Sequence, residues 1–323
     1  MTDTPELKKS GIVVLVGRPN VGKSTLLNAV LQEEISIVTP KAQTTRDQVR
    51  GILNEDRGQI VFIDTPGVHR ARDGGINAYM IQEVRKALDG PDLVLYLIDP
   101  ASKDTAEQAL LDHLKLADAP LVIIVNKGDQ RLKHPEQFAW IEKWIETCRT
   151  ALEGTKCRLI GVSEISASKK IGVTELVDSI FRNMPEGEPL FQDTDILTDR
   201  PTRFVVSEMI RKQLFMKLGD ELPYSCAVEI ESFKENQKPI TIHAMIYVER
   251  ESQKGMVIGA GGKKIKDIGM GARKEIEDLL GEKVFLDLRV KVMEGWTAES
   301  EKMKHLGYVL EKSKSKSKSG VRR

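Results

Sequence analysis

The chain has 323 residues, 40% hydrophobic and 30% charged, a mixture that supports folded cores and suggests two domains at ~100–200 residues each. The longest aliphatic and aromatic run, Leu93–Ile98, falls far short of the ~20 residues of a spanning helix, and MTDTPELKKS has no apolar signal core, so neither a transmembrane nor a secreted protein is expected. The net charge of +1 hides an asymmetry: residues 1–200 carry 25 Lys+Arg against 30 Asp+Glu and residues 297–323 carry 8 against 3, so an anionic partner is expected toward the C-terminus.

In chain order, short runs dense in Val, Ile and Leu predict strands over 12–16, 60–63, 93–98, 121–125 and 159–165. They lack polar alternation, as expected for a sheet buried on both faces. Helices are expected between them, over 24–31, 77–88, 105–116, 138–152 and 173–181. The alternation predicts an α/β domain with a mostly parallel sheet over 1–184. Acidic, proline-bearing MPEGEPLFQDTD interrupts it, and 185–200 reads as a linker. A smaller α+β module is expected over 201–296. Its helices fall over 202–214 and 262–280, and its strands over 227–233, 240–248 and 284–292. Residues 297–323 form a C-terminal extension ending in KSKSKSKSGVRR, which with six positive charges reads as a disordered basic tail. Three scattered cysteines (Cys148, Cys157, Cys226) and five histidines show neither a CxxC pair nor metal-ligand spacing. Reduced cytosolic thiols are expected, and a zinc enzyme or disulfide scaffold is not. Trp140 and Trp144, one helical turn apart, read as packing residues, as do the scattered Met209, Met216, Met245 and Met256.

Directly after the first strand comes GRPNVGKST, in which Gly17, Gly22, Lys23 and Ser24 fit G-x-x-x-x-G-K-[ST]. The glycines let the backbone curl until successive N–H groups, from Asn20 and Val21 to Thr25, face phosphates. The following helix adds its positive N-terminal dipole. Lys23 reaches the β- and γ-phosphates, and the Ser24 hydroxyl ligates Mg²⁺. The ordinary alternative is a glycine-bearing turn, and the strand-to-helix placement argues against it. In FIDTPG, Asp64 ends a second strand and suits an acid holding a water on Mg²⁺, with the Gly67 N–H near the γ-phosphate. In NKGD, the Asp129 carboxylate can accept from both N1–H and the 2-amino group of guanine, which argues GTP over ATP. Asn126 and the stem of Lys127 would brace base and cradle. In ISAS, the N–H groups of Ser166 and Ala167 could meet guanine O6.

The order and spacing of these four elements resemble the translation-factor-related GTPases. That resemblance implies a threonine that closes over Mg²⁺ in the GTP state. KAQTTRD offers Thr45, with Thr44 as runner-up. Many such enzymes orient the attacking water with a glutamine after the glycine of Asp-x-x-Gly; here Val68 stands there and cannot. Several relatives carry a cradle asparagine that helps hold a monovalent cation, and Asn20 occupies that position, so K⁺ is a candidate cofactor in place of an arginine finger. His69 and Arg46 read as solvated switch residues.

VIGAGGKKI, at 257–265, holds a GxxG loop, Gly259 to Gly262, at the start of a helix. Such a loop lets backbone approach a phosphodiester, and a KH module clamps about four single-stranded nucleotides this way. From Lys254 to Lys274 six basic residues face one acid, Asp267. Ile258, Gly259, Ala260, Gly261, Gly262, Lys263, Lys264, Lys266 and Arg273 are the expected RNA contacts, with Ile258 and Ile265 as an apolar floor. A flexible turn with solvated lysines is the plain alternative, and a dinucleotide-binding loop a second one that lacks the βαβ context. The module is similar to the prokaryotic, type II variant of the KH fold.

Along nearly its whole length the chain resembles the bacterial Era GTPases, through GRPNVGKSTLLN, KAQTTRDQVRGIL, DTPGVH, NKGD, ELPYS and VIGAGGKKIKDIG. The resemblance implies a slow GTPase acting in small-subunit ribosome assembly. It implies binding near the 3′ end of small-subunit ribosomal RNA, coupling to nucleotide state, and a cytoplasmic monomer with peripheral membrane association. An RNA-linked ATPase and an RNA-binding scaffold with a structural nucleotide stay open as alternatives.

Overall fold

The computed structural model describes residues 8–41, 43–67 and 74–311. The expectations placed on Val68, His69 and the 312–323 tail lie outside the described residues. The first module is built on a six-stranded sheet in the order β2-β3-β1-β4-β5-β6. Its strands are β1 (Lys9–Gly17), β2 (Val49–Glu55), β3 (Gly58–Asp64), β4 (Leu93–Ile98), β5 (Leu121–Val125) and β6 (Leu159–Glu164). All are parallel to their neighbours except β2, which returns antiparallel on β3. Along β1, Val14 and Val16 enter one core and Val13 and Leu15 the other, which is why the strand shows no polar alternation. Helices α2 (Gly75–Ala87), α3 (Asp104–Leu114) and α4 (Ile141–Leu152) cover the first face; α1 (Lys23–Leu31) and α5 (Val173–Asn183) cover the second. The chain crosses from one side of β1 to the other, so the carboxyl edge of β1 is a topological switch point, where ligands of open α/β sheets bind.

The sequence reading omits β2. Its VRGILNE carries one short apolar stretch between polar residues, and pairing with β3 from Val49↔Asp64 to Glu55↔Gly58 supplies the order that composition does not.

The second module holds α6 (Thr202–Lys217), then β7 (Ala227–Lys234) and β8 (Ile240–Val248), then α7 (Glu251–Ile258), α8 (Lys263–Leu280) and β9 (Val284–Val292). Its sheet order is β7-β8-β9, with β7 antiparallel and β9 parallel to β8. Val206, Ile210, Ala272 and Ile276 of α6 and α8 pack on one sheet face. Helix α7 is a further departure from expectation: only Val257 among its residues is buried, so it carries no apolar periodicity to read.

The connection between the modules follows the first sheet closely. Gln59 bonds the Phe191 backbone at both ends of its amide, Asn54 Nδ2 donates to Thr194 O at 2.9 Å, and Ile52 N donates to Leu197 O at 2.9 Å. After β9 the chain returns through α9 (Ser300–His305) to rest on α2. There Ile76 N donates to Thr297 O at 2.8 Å, and the Tyr79 and Tyr308 rings meet edge-on at 5.3 Å.

Candidate nucleotide site and candidate RNA groove

The cradle forms where β1 turns into α1. Lys23 is 5% exposed, and its ammonium donates to the carbonyls of Gly17 at 3.2 Å and Arg18 at 3.0 Å. Burial lowers it to about 8, against the pull of Asp64 and Glu107 toward the charged form. Asp64, fully buried at the end of β3, accepts from Ser24 Oγ at 2.5 Å and Ser36 Oγ at 2.8 Å through Oδ2. Burial raises its carboxyl; Lys23 and the two serines oppose that. Asp64 Oδ1 is buried without a hydrogen-bond partner among the described residues.

Thr45 Oγ1 lies 3.1 Å from Ser24 Oγ. A hydroxyl has one proton and Ser24 spends its own on Asp64, so Thr45 is the donor. Thr44 faces elsewhere: it donates to Lys41 O at 2.9 Å and meets Thr39 Oγ1 at 2.7 Å. Of the two threonines, the structure brings Thr45 to Ser24 and Asp64. Two hydroxyls and one carboxylate, its Oδ1 orphaned, are a donor set suited to a hard divalent cation such as Mg²⁺. Gly67 packs against the cradle so tightly that a Cβ there would sit 2.5 Å from Pro19 N. Asn20 is exposed with φ 62°, and its amide donates to Pro40 O at 3.1 Å. A cleft of about 270 Å³ runs over Asn20, Gly22, Lys23, Ser24, Thr25, Thr45, Gly67 and Lys127, roofed by residues 37–40.

At the base end, Asn126 is 3% exposed and ties two loops together. Its Nδ2 donates to Val21 O at 2.7 Å, and its Oδ1 accepts from Ala167 N at 3.0 Å. Lys127 pairs with Asp99. Asp129 accepts from Ser166 Oγ at 2.6 Å, the leading cause of its lowered carboxyl pKa. The N–H groups of Ser166 and Ala167, read from the sequence as facing guanine O6, donate to Ile171 O and Asn126 Oδ1. The pair thereby also orients Asp129 and Asn126.

Arg46 departs from expectation. It is not solvated but 3% exposed, with its guanidinium against the second module. Sequence periodicity carries no signal for it, because its partners lie 178 and 180 residues away. Two of the methionines read as packing residues, Met216 and Met256, are in fact 54% and 59% exposed.

In the second module, Gly259, Gly261 and Gly262 have φ of 72°, 57° and 74°, conformations that L side chains rarely adopt. A Cβ on Gly259 would also fall 2.7 Å from Lys264 Cβ. Ala260 and Gly261 are exposed, and Lys263, Lys264 and Lys266 project from the first turn of α8. Ile258 is half-buried beside the loop. A groove of about 290 Å³ runs between α8 and β9, floored by Ile265, Gly269, Met270, Leu286 and Leu288 and edged by Lys266 and Arg273. Met270, Leu286 and Leu288 are functional candidates the sequence reading misses, because the groove is made by a strand laid beside a helix rather than by one stretch of chain.

A lysine-bearing phosphate cradle, an acidic strand end and a carboxylate-bearing base loop share one sheet edge, followed by a glycine loop on a basic helix. Together they define a P-loop guanine-nucleotide protein with a C-terminal nucleic-acid module. Comparison with known proteins agrees. Residues 12–127 match the family described as 50S ribosome-binding GTPase, and residues 221–297 match the KH domain. GTPase Era of Geobacter metallireducens is 44% identical over 95% of this chain and 100% of its own; that of Thermoanaerobacter sp. is 40% identical over 94% and 98%. Among solved structures, Aquifex aeolicus Era bound to GDP and AlF₄⁻ superposes with a TM-score of 0.84 at 35% identity, covering 94% of this chain and all of that one. Era in complex with MgGDPNP and nucleotides 1506–1542 of 16S ribosomal RNA gives 0.85 at 35% identity and the same coverage. The chain belongs to the Era GTPase family, and it is a GTPase that binds GTP and GDP.

Proposed function

We propose that this GTPase binds the single-stranded 3′ end of small-subunit ribosomal RNA through residues 258–273 and couples that binding to its nucleotide state during assembly of the small ribosomal subunit. The observation that carries the reading is the GAGG loop. Its left-handed glycines open onto the basic first turn of α8 beside an apolar groove, on a chain that superposes with an RNA-bound relative. The division into a nucleotide domain over 1–184, a linker over 185–200, an RNA domain over 201–296 and an extension is part of the proposal.

At the nucleotide site, Lys23 and the N–H groups of the 17–25 turn are assigned to the phosphates, and Asn126, Lys127, Asp129, Ser166 and Ala167 to the guanine end. Ser24 and Thr45 are assigned as Mg²⁺ ligands, with Asp64 acting through water. Bound there, Mg²⁺ offsets charge on the β- and γ-phosphates. Asn20 is the proposed K⁺ contact; equal turnover in K⁺ and Na⁺ for wild type would remove it. The family resemblance further supports a cytoplasmic monomer with peripheral association at the inner membrane. Among the described residues no helix is long and apolar enough to cross a membrane, so that association would be a surface one.

The test is binding of an oligoribonucleotide copying the RNA 3′ end, with GDP and with a non-hydrolysable GTP analogue. Gly261→Asp with Gly262→Asp should abolish RNA binding and leave GDP affinity intact. Retained RNA affinity in that variant overturns the assignment, and identical affinity in the two nucleotide states overturns the coupling.

A further inference from the structure

Arg46 follows Thr45 directly, yet its guanidinium leaves the nucleotide-binding module. Nη1 donates to Cys226 O at 2.8 Å and Nη2 to Tyr224 O at 2.6 Å. The same group lies 5.4 Å from the Trp296 ring centroid and 5.9 Å from that of Tyr308. Those two rings stack at 5.8 Å, and Trp296 Nε1 is fixed on Ser225 O at 2.9 Å. Among the described residues no carboxylate pairs with Arg46. Its charge is held by carbonyl dipoles, the Tyr308 hydroxyl at 3.5 Å from Nη1 and ring faces, an arrangement that depends on direction more than an ion pair does. Five residues earlier, Lys41 Nζ donates to Leu218 O. The stretch that carries both threonines is therefore held at each end by carbonyls of the α6–β7 connection.

We infer that Arg46 is a positioning residue for the GTP-bound state: seated between Trp296, Tyr308 and the Tyr224 and Cys226 carbonyls, it holds Thr45 toward Ser24 and Asp64. The inference rests on the Mg²⁺-ligating role proposed for Thr45. Arg46 is 3% exposed with its guanidinium seated on the second module, and adjacent Cα atoms are ~3.8 Å apart, so a side chain anchored there limits how far Thr45 can swing away. The second module thereby preorganises an oxygen on which only the triphosphate state depends. By linkage, a triphosphate and an intact seat each strengthen the other. A residue that merely glued the modules together would affect both nucleotides alike.

The experiment measures equilibrium affinity for a non-hydrolysable GTP analogue and for GDP across a Mg²⁺ titration. It uses the full chain, with Arg46→Gln, Arg46→Lys, Trp296→Leu and Thr45→Ala. Arg46→Gln and Trp296→Leu should weaken the analogue by about tenfold or more, the scale of a lost charge-assisted hydrogen bond. They should also raise the Mg²⁺ needed for analogue binding and leave GDP affinity unchanged. Arg46→Lys should recover part of the loss. Equal losses for both nucleotides, or none, overturn the inference. If Thr45→Ala removes the preference for the analogue while the seat variants keep it, the inference fails and the Mg²⁺ assignment stands. If Thr45→Ala keeps the preference, that assignment fails first and the inference with it. Should Trp296→Leu not fold, Tyr308→Leu removes the outer ring and gives the same reading.

Discussion

The candidate nucleotide site and the candidate RNA groove are built by opposite means. The first gathers side chains at strand ends and buries them: Lys23, Asp64, Asn126 and Ser166 are each 5% exposed or less. The second is mostly backbone and reach, three glycines of positive φ with lysines standing in solvent. A buried constellation binds through fixed dipoles in a low-dielectric place, and its parts are coupled to one another. An exposed basic helix binds through counterion release, and its parts add separately. Substitutions in the first site should be costly and specific, and those in the second graded and sensitive to salt.

The sharpest break comes from Lys23→Ala. Removing one partner from a buried charged site costs roughly 3–5 kcal/mol, so nucleotide affinity should fall more than a hundredfold by calorimetry. RNA binding without nucleotide should not change. Next is Asp129→Asn. It replaces two acceptor oxygens with an amide, so the variant should lose GTP by roughly 10–100-fold and prefer xanthosine triphosphate. Asn126→Ala strands the Val21 carbonyl and the Ala167 N–H together. It should lower unfolding stability by about 1–3 kcal/mol, and a denaturant midpoint close to wild type would contradict the bracing role.

A pH series separates the two sites again. In the free protein burial holds Lys23 at about 8. Phosphates beside the ammonium favour its charged form, so above that pH the complex keeps a proton that the free protein has lost. Nucleotide affinity should be flat below about pH 8 and then decline, by at most about tenfold per unit. For stability the sign runs the other way: the unfolded chain holds the Lys23 proton up to its ordinary range, so the burial penalty eases as pH rises from about 8 toward about 10.5. The smallest effect belongs to Lys266→Gln, which should cut the salt dependence of RNA binding by a slope of ~0.7 without altering nucleotide affinity.

Much of the first module is legible before folding, because its signals are local. The buried strands declare themselves as unbroken aliphatic runs, and β4 and β5 fall on the expected residues. The cradle is a contiguous motif. What escapes is whatever depends on a partner that the stretch itself does not contain. Strand β2 needs β3 beside it, and α7 has a single buried anchor. The proposed choice of Thr45 over Thr44 rests on Thr45 Oγ1 standing 3.1 Å from Ser24 Oγ while Thr44 turns to Lys41 O, which spacing does not encode. The seat of Arg46 draws on residues near 225, 296 and 308, and no window of sequence contains them all.

The segment joining the two modules is stitched to the edge of the first sheet as far as Asp199, which pairs with Arg50, and Arg200 is itself bonded to Gln48 O. Only Pro201 then separates that anchorage from α6. At ~3.5 Å per residue, the leash is no longer than a side chain. Two bodies tethered so closely cannot part, so under the proposed RNA binding the strand would stay within a short arc of the nucleotide cradle.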